Sequence, residues 1–169
     1  MIDSVKSALA ELDHEVLMRQ AIALSSSARS HGNKPFGALL TDLNGAVLLT
    51  SENTEYTDRD TTCHAEMNLM SLASQKLNMN QRSQSIMYAS CEPCAMCAGA
   101  VFFAGVRAVV FGLSAECLSN NWVTDNQPAI PLLDIGCRDV FETCRSHETV
   151  VLGPILEDEA LAPHIGFWD

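Results

Sequence analysis

From Asp13 to His31 the apolar positions repeat with a helical period, Leu17, Ala21, Leu24 and Ala28 falling on one stripe. Asp13 is a capping residue type at the start of this segment, and Gly32 is a stop signal at its end. The stripe predicts a first helix that packs on something flat. Two short apolar runs follow, Gly37 to Leu40 and Ala46 to Leu49, on either side of Asn44-Gly45. That dipeptide accepts the positive φ angles of a two-residue hairpin, so the runs predict two antiparallel strands. Thr62 to Lys76 returns to helical spacing through Met67, Met70 and Ala73 or Ser74, and Ile86 to Ala89 reads as a short buried strand. Cys94 to Ala104 is an apolar, Ala/Gly-rich helix opened by Pro93, and Val106 to Phe111 is the next strand. Strand, helix and strand in this stretch imply a parallel crossover. Val150 to Leu152 predicts a last strand and Asp158 to His164 a last helix, whereas Asn120 to Pro131 carries turn residues with no period.

No repeat, linker or low-complexity segment interrupts the pattern, so residues 1–169 are expected to form a single domain. The expected fold class is α/β, a three-layer α/β/α sandwich with a mixed five-stranded sheet. A hydrophobic content of 47% with 18% charged residues suffices for a closed core. No apolar run approaches the roughly 18 residues of a membrane span, and the N-terminal stretch lacks the apolar segment of a signal peptide. The expectation is a cytoplasmic protein with no membrane association.

Charge and cysteines narrow the chemistry. A net charge of −11 repels polyanions, and beyond Arg107 only Arg138 and Arg145 stand against ten acidic side chains. A nucleic-acid partner is therefore disfavoured. Seven cysteines are an odd number, and Cys91, Cys94 and Cys97 crowd together, which points to metal binding or reduced thiols before disulfides.

Cys94 and Cys97 are three apart on the predicted helix, about 60° around its axis and about one turn along it, so two thiolates can share one ion. The helix N-terminus adds a positive field that favours the thiolate form. Upstream, His64-Ala65-Glu66 offers an imidazole ligand and an acid two residues later. Two residues turn a helix by roughly 200°, which places Glu66 off the ligand face. One nitrogen and two sulfurs make three ligands, whereas structural zinc sites have four, so an open position for a reacting water is implied. The competing reading is a structural zinc site completed by Cys63, Cys91 or Cys117.

His64-Ala65-Glu66 followed by Pro93-Cys94-Ala95-Met96-Cys97 is similar to the H-x-E and P-C-x-x-C pair of the cytidine deaminase superfamily, the zinc-dependent nucleobase and nucleoside deaminases. Lys34 to Ala38, Asn53, Ser90 to Pro93 and Ala98 to Ala100 sit where guanine deaminases and tRNA adenosine deaminases carry similar segments. The resemblance covers roughly residues 14–113. It implies Zn2+ held by His64, Cys94 and Cys97, and a catalytic Glu66 that accepts a proton from water and delivers protons to the ring nitrogen and the leaving ammonia. It further implies that Asn53 hydrogen-bonds the base, that Phe36 walls the pocket, and that the backbone around Ala65 and Ser90 adds polar contacts. Glu116 is a candidate acidic contact, and Phe167 and Trp168, within residues 154–169, resemble a C-terminal lid segment. A homodimer or higher homo-oligomer is implied as well.

The expected substrate is a small nucleobase or nucleoside, with a guanine-like purine ahead of cytosine or a triazine. Adenosine-to-inosine deamination of tRNA is the nucleic-acid rival, and the acidic charge argues against it. A zinc-stabilised interaction domain is the non-enzymatic rival, and the presence of Glu66 argues against that.

Overall fold

The computed structural model describes residues 2–124, 127, 128, 133 and 135–168. The first apolar stripe forms a helix where expected. His14–Ser30 (α2) begins after Asp13, whose carboxylate accepts from the Val16 N–H at 3.2 Å, and its buried face is Leu17, Met18, Ala21, Ser25 and Ala28. It is preceded by α1 (Ile2–Glu11), which the sequence pattern did not announce and which buries Val5, Ala8 and Leu9. The hairpin pairs β1 (Gly37–Asp42) with β2 (Val47–Glu52). Its turn is longer than two residues: Asp42 N–H donates to the Ala46 carbonyl, the Asp42 carboxylate accepts from the Asn44 and Ala46 N–H groups, and Gly45 takes φ +82°.

After a single turn, α3 (Glu55–Asp58), come α4 (Ala65–Lys76), α5 (Met79–Ser83), β3 (Ser85–Cys91), α6 (Ala95–Ala104) and β4 (Ala108–Leu113). The chain continues through α7 (Ala115–Trp122), β5 (Val123–Thr124), β6 (Gln127–Pro128), α8 (Cys137–Glu142), β7 (Val150–Leu152) and α9 (Glu157–Leu161). The last predicted helix is thus split, since Ala162–His164 is a 3-10 turn with Pro163 inside it. Of the aperiodic stretch 120–131, residues 120–122 close α7, and 125, 126 and 129–131 lie outside the described residues.

The main sheet has the order β2-β1-β3-β4-β7, antiparallel on the β1 side and parallel from β3 through β4 to β7. This is the expected mixed five-stranded sheet. Alternation along the central strands sends Met87, Ala89, Val109 and Phe111 to the core beneath α4, α6 and α8, and Ile86, Tyr88, Ala108 and Val110 to the core beneath α1 and α2. The central strands are buried on both faces, so they read as continuous apolar runs. Gly37 is required by packing, because a Cβ there would lie 2.5 Å from the Ser25 backbone of α2. Among the described residues no helix is long and apolar enough to cross a membrane.

Candidate active site

Helices α4 and α6 run side by side, and each is preceded at its N-terminus by a ligand-type residue in extended conformation: His64 (φ −66°, ψ 153°) and Cys94 (φ −65°, ψ 170°). A side chain at this position folds back across the helix end instead of following the helical rotation. His64 Nδ1 consequently stands 3.7 Å from Cys94 Sγ and 3.5 Å from Cys97 Sγ. Zinc bonds of ordinary length at tetrahedral angles place nitrogen and sulfur about 3.6 Å apart, so these donors fit a zinc ion. All three ligand atoms lie within 4.8 Å of one another, and among the described residues no fourth His, Cys, Asp or Glu joins them. Cys63, Cys91 and Cys117 do not complete the set.

Glu66 faces the same cavity as His64. The rotation argument that separated them fails because His64 lies outside the helix, so only Glu66 obeys the helical screw. Glu66 is buried, and its Oε2 is 3.7 Å from Cys97 Sγ. Burial pushes its carboxyl up to about 7, against the pull of His64. A group balanced there both accepts and returns a proton near neutral pH. The Cys94 thiol is held down, to about 4, chiefly by its hydrogen bond from Cys97 and against its own burial. The same shared bond, together with burial, pushes Cys97 up, and Cys94 raises His64. A negative charge is thus already stored on the sulfur pair at the N-terminus of α6.

The cavity beside these groups has a volume of about 280 Å³, with Phe36, Lys34, Glu55, Met96, Leu118 and Ile135 in its lining. Asn53 is fully buried, and its carboxamide is held by Glu55: its Nδ2 donates to Glu55 Oε2 at 3.0 Å, and its Oδ1 accepts from Glu55 N–H at 3.1 Å. Ser90 Oγ accepts from Gly37 N–H at 3.0 Å and so fixes the backbone beside Phe36, while Ala65 is fully buried at the first turn of α4. Glu116 is not brought to the cavity: on α7 it is Ala115 and Leu118 that line it, and Glu116, rotated away from them, is exposed.

Phe167 and Trp168 are not part of the cavity lining either. Trp168 packs behind it, 6.2 Å between ring centroids from Phe36, stacked at 6.0 Å on His164, and clustered with Cys91, Leu113 and Leu118. Phe167 meets the Trp168 ring edge-on at 4.8 Å. The segment is fastened to its own chain by Arg29, whose guanidinium donates to the carbonyls of Pro163, Ile165 and Gly166.

Three residues of the site carried no role in the sequence reading. Glu55 and Lys34 form a nearly buried pair at 2.9 Å. Glu92 ties the far wall together, accepting from Ala115 N–H and Cys137 N–H at 3.2 Å each. The signal for Glu55 was its place two residues after Asn53, the spacing of an Asx turn; the partners of Lys34 and Glu92 are too distant in sequence for any local pattern.

Residues 12–113 match the family described as the cytidine and deoxycytidylate deaminase zinc-binding region. A probable cytosine deaminase of Schizosaccharomyces pombe is 40% identical over 152 residues, 90% of each chain. The guanine deaminase of Bacillus subtilis is 35% identical over 101 residues, 59% of this chain and 64% of its own. The guanine deaminase structure from Nitrosomonas europaea superposes with a TM-score of 0.71 at 23% identity, covering 88% of this chain and 81% of that one. Helix-end ligands, a buried proton carrier and these likenesses converge: the chain belongs to the cytidine and deoxycytidylate deaminase zinc-binding family and is a zinc-dependent hydrolase that deaminates a nucleobase.

Proposed function

We propose that the substrate is cytosine or a closely similar single-ring base. The observation that carries this reading is the extent of the likeness to the cytosine-type relative, which takes in 152 residues and therefore most of the C-terminal third that walls the cavity. The guanine-type relative matches over 101 residues, so its likeness concerns mainly the machinery common to the family. The preference for a purine suggested by the sequence therefore gives way to a pyrimidine.

Zinc held by His64, Cys94 and Cys97 would supply Lewis acidity at neutral pH. Glu66 would accept a proton from the attacking water and pass protons to the ring nitrogen and to the departing ammonia, the hydrolysis being balanced by conversion of the amine-bearing carbon to a carbonyl. Phe36 stacks on the ring, while Asn53, fully buried and outside the cavity lining, acts on the base only by holding Glu55, which does line the cavity. Oligomerisation as a homodimer or higher homo-oligomer belongs to the same reading and is checked by sedimentation.

The test is ammonia release from cytosine, guanine, adenine, cytidine and a triazine under matched conditions, with inosine formation in an anticodon stem-loop as a further arm. Cytosine is expected to give the highest kcat/KM and the RNA no product, given the net charge of −11. Guanine turned over faster than cytosine would overturn the proposal.

A further inference from the structure

We propose that Glu55 is a positioning residue that couples the zinc ligand His64 to the buried Asn53, with Lys34 as its counter-ion. The carboxylate sits at the junction of three groups. Its Oε1 accepts from Lys34 Nζ at 2.9 Å, its Oε2 accepts from Asn53 Nδ2 at 3.0 Å, and the same Oε2 lies 3.7 Å from His64 Nε2. Side-chain exposures of 14% for Lys34 and 5% for Glu55 show that neither is a solvated surface charge. A pair so desolvated gains little stability from its own attraction, because the loss of hydration offsets most of it. The additional contacts of the carboxylate are what the arrangement provides.

The geometry of His64 gives those contacts a purpose. Its Nδ1 is the atom that faces both sulfurs, so in the zinc-bound ring the proton resides on Nε2, the nitrogen turned towards Glu55. A carboxylate on that side, at 3.7 Å too far for a hydrogen bond yet near enough to attract the Nε2–H, favours that tautomer and orients the ring. The hydrogen bond from Asn53 Nδ2 fixes which way its carboxamide faces, since the opposite flip would set oxygen against oxygen. One carboxylate therefore ties the cavity wall to the metal ligand. Lys34 balances its charge, which otherwise would stand uncompensated near Glu66 and the sulfur pair.

The part of this inference that concerns KM rests on the proposed function, whereas the zinc part does not. The experiment uses the full chain with Glu55→Gln, Glu55→Asp and the doubly neutral Lys34→Met/Glu55→Gln variant. Zinc affinity is measured by chelator competition, folding of the zinc-free protein by thermal melting, and kcat and KM with whichever base the screen identifies. Glu55→Gln is expected to weaken zinc binding by about tenfold to a hundredfold and to raise KM, with Glu55→Asp recovering part of the affinity. The double variant, which leaves no unpaired buried charge, is expected to melt like the wild type while still binding zinc weakly, and it carries the test should Glu55→Gln fail to fold. Wild-type zinc affinity in the double variant would overturn the inference and make the pair a structural one. Weakened zinc with an unchanged KM would overturn the coupling to Asn53. Absence of turnover on every base, with zinc affinity still dependent on Glu55, would sink the proposed substrate and leave the zinc role standing.

Discussion

The two walls of the cavity are built by opposite means. On one side, helix ends collect ionisable groups: His64, Glu66, Cys94 and Cys97 at or within a few residues of the starts of α4 and α6, with Glu55 at the start of α3. On the other side, the C-terminal segment backs Phe36 with aromatic rings and is held by an arginine that reaches three main-chain carbonyls. The first wall sets charge and proton position, so a change there alters chemistry while the fold persists. The second sets shape and dryness, so a change there alters affinity and stability while the chemistry persists. The comparison breaks if either wall responds in the manner assigned to the other.

The largest effect is expected at Glu66. Glu66→Gln retains the shape of the side chain and leaves the three ligands in place, so metal analysis should return one zinc per chain as in the wild type. Turnover should fall by about 10²-fold to 10⁴-fold, the usual contribution of a proton-transferring group. Cys94→Ala, in contrast, should lose zinc and turnover together. A Glu66→Gln enzyme with near wild-type kcat would remove the proton-shuttle role and the contrast between the walls.

The metal wall was legible in the sequence because its residues are close neighbours: His64 and Glu66 are two apart, and Cys94 and Cys97 three apart. Their spacing reports chemistry without knowledge of the fold. The hydrophobic pattern likewise yielded the central strands, since the apolar runs at 86–89 and 108–111 mark strands buried on both faces. What the pattern did not reveal was side-chain direction. His64 was assigned a helical rotation that its extended backbone does not follow, and Glu116 was assigned a contact that the rotation of α7 denies it. The contacts of Lys34, Glu55 and Glu92 join segments far apart in sequence, and the docking of Trp168 on Phe36 spans nearly the whole chain. Such contacts are decided by tertiary packing, about which a local pattern carries no information.

A second prediction concerns acid stability of the aromatic wall. His164 is fully buried, and burial, reinforced by Arg29, lowers its pKa from 6.5 to about 4. Its Nδ1 accepts from Trp168 Nε1 at 3.3 Å, which a ring protonated at that nitrogen cannot do. Because the folded-state pKa lies below the unfolded one, the unfolded chain takes up the proton first as pH falls. The stabilisation is therefore complete above about pH 6.5 and is lost progressively down to about pH 4, amounting to roughly 3 kcal/mol at about 1.4 kcal/mol per unit. The comparison of His164→Gln with the wild type in denaturant titrations across this range isolates the effect from acid release of zinc, which both proteins share. Parallel stability curves for the two would show that His164 does not govern the acid response.

The smallest effect is expected at Trp168, and it tests whether the terminal segment acts through the cavity or only through the fold. Trp168 lies behind Phe36 and does not line the cavity itself, so its indole is not placed to stack directly on a base. Its influence must pass through the position of the Phe36 ring, which is also braced by His164 at 5.1 Å between centroids. Removing one of two aromatic supports loosens that ring without emptying the site, at a cost of about 0.5–1.5 kcal/mol for the lost pair. Trp168→Ala should accordingly raise KM by roughly twofold to tenfold, leave zinc content and kcat nearly unchanged, and lower the melting temperature modestly. Removal of residues 165–169 should do the same to KM but lower the melting temperature further, since it also takes the Ile165 and Gly166 carbonyls from Arg29. If Trp168→Ala lowers kcat at constant KM, the aromatic wall takes part in the chemical step, and the division of labour between the two walls is wrong.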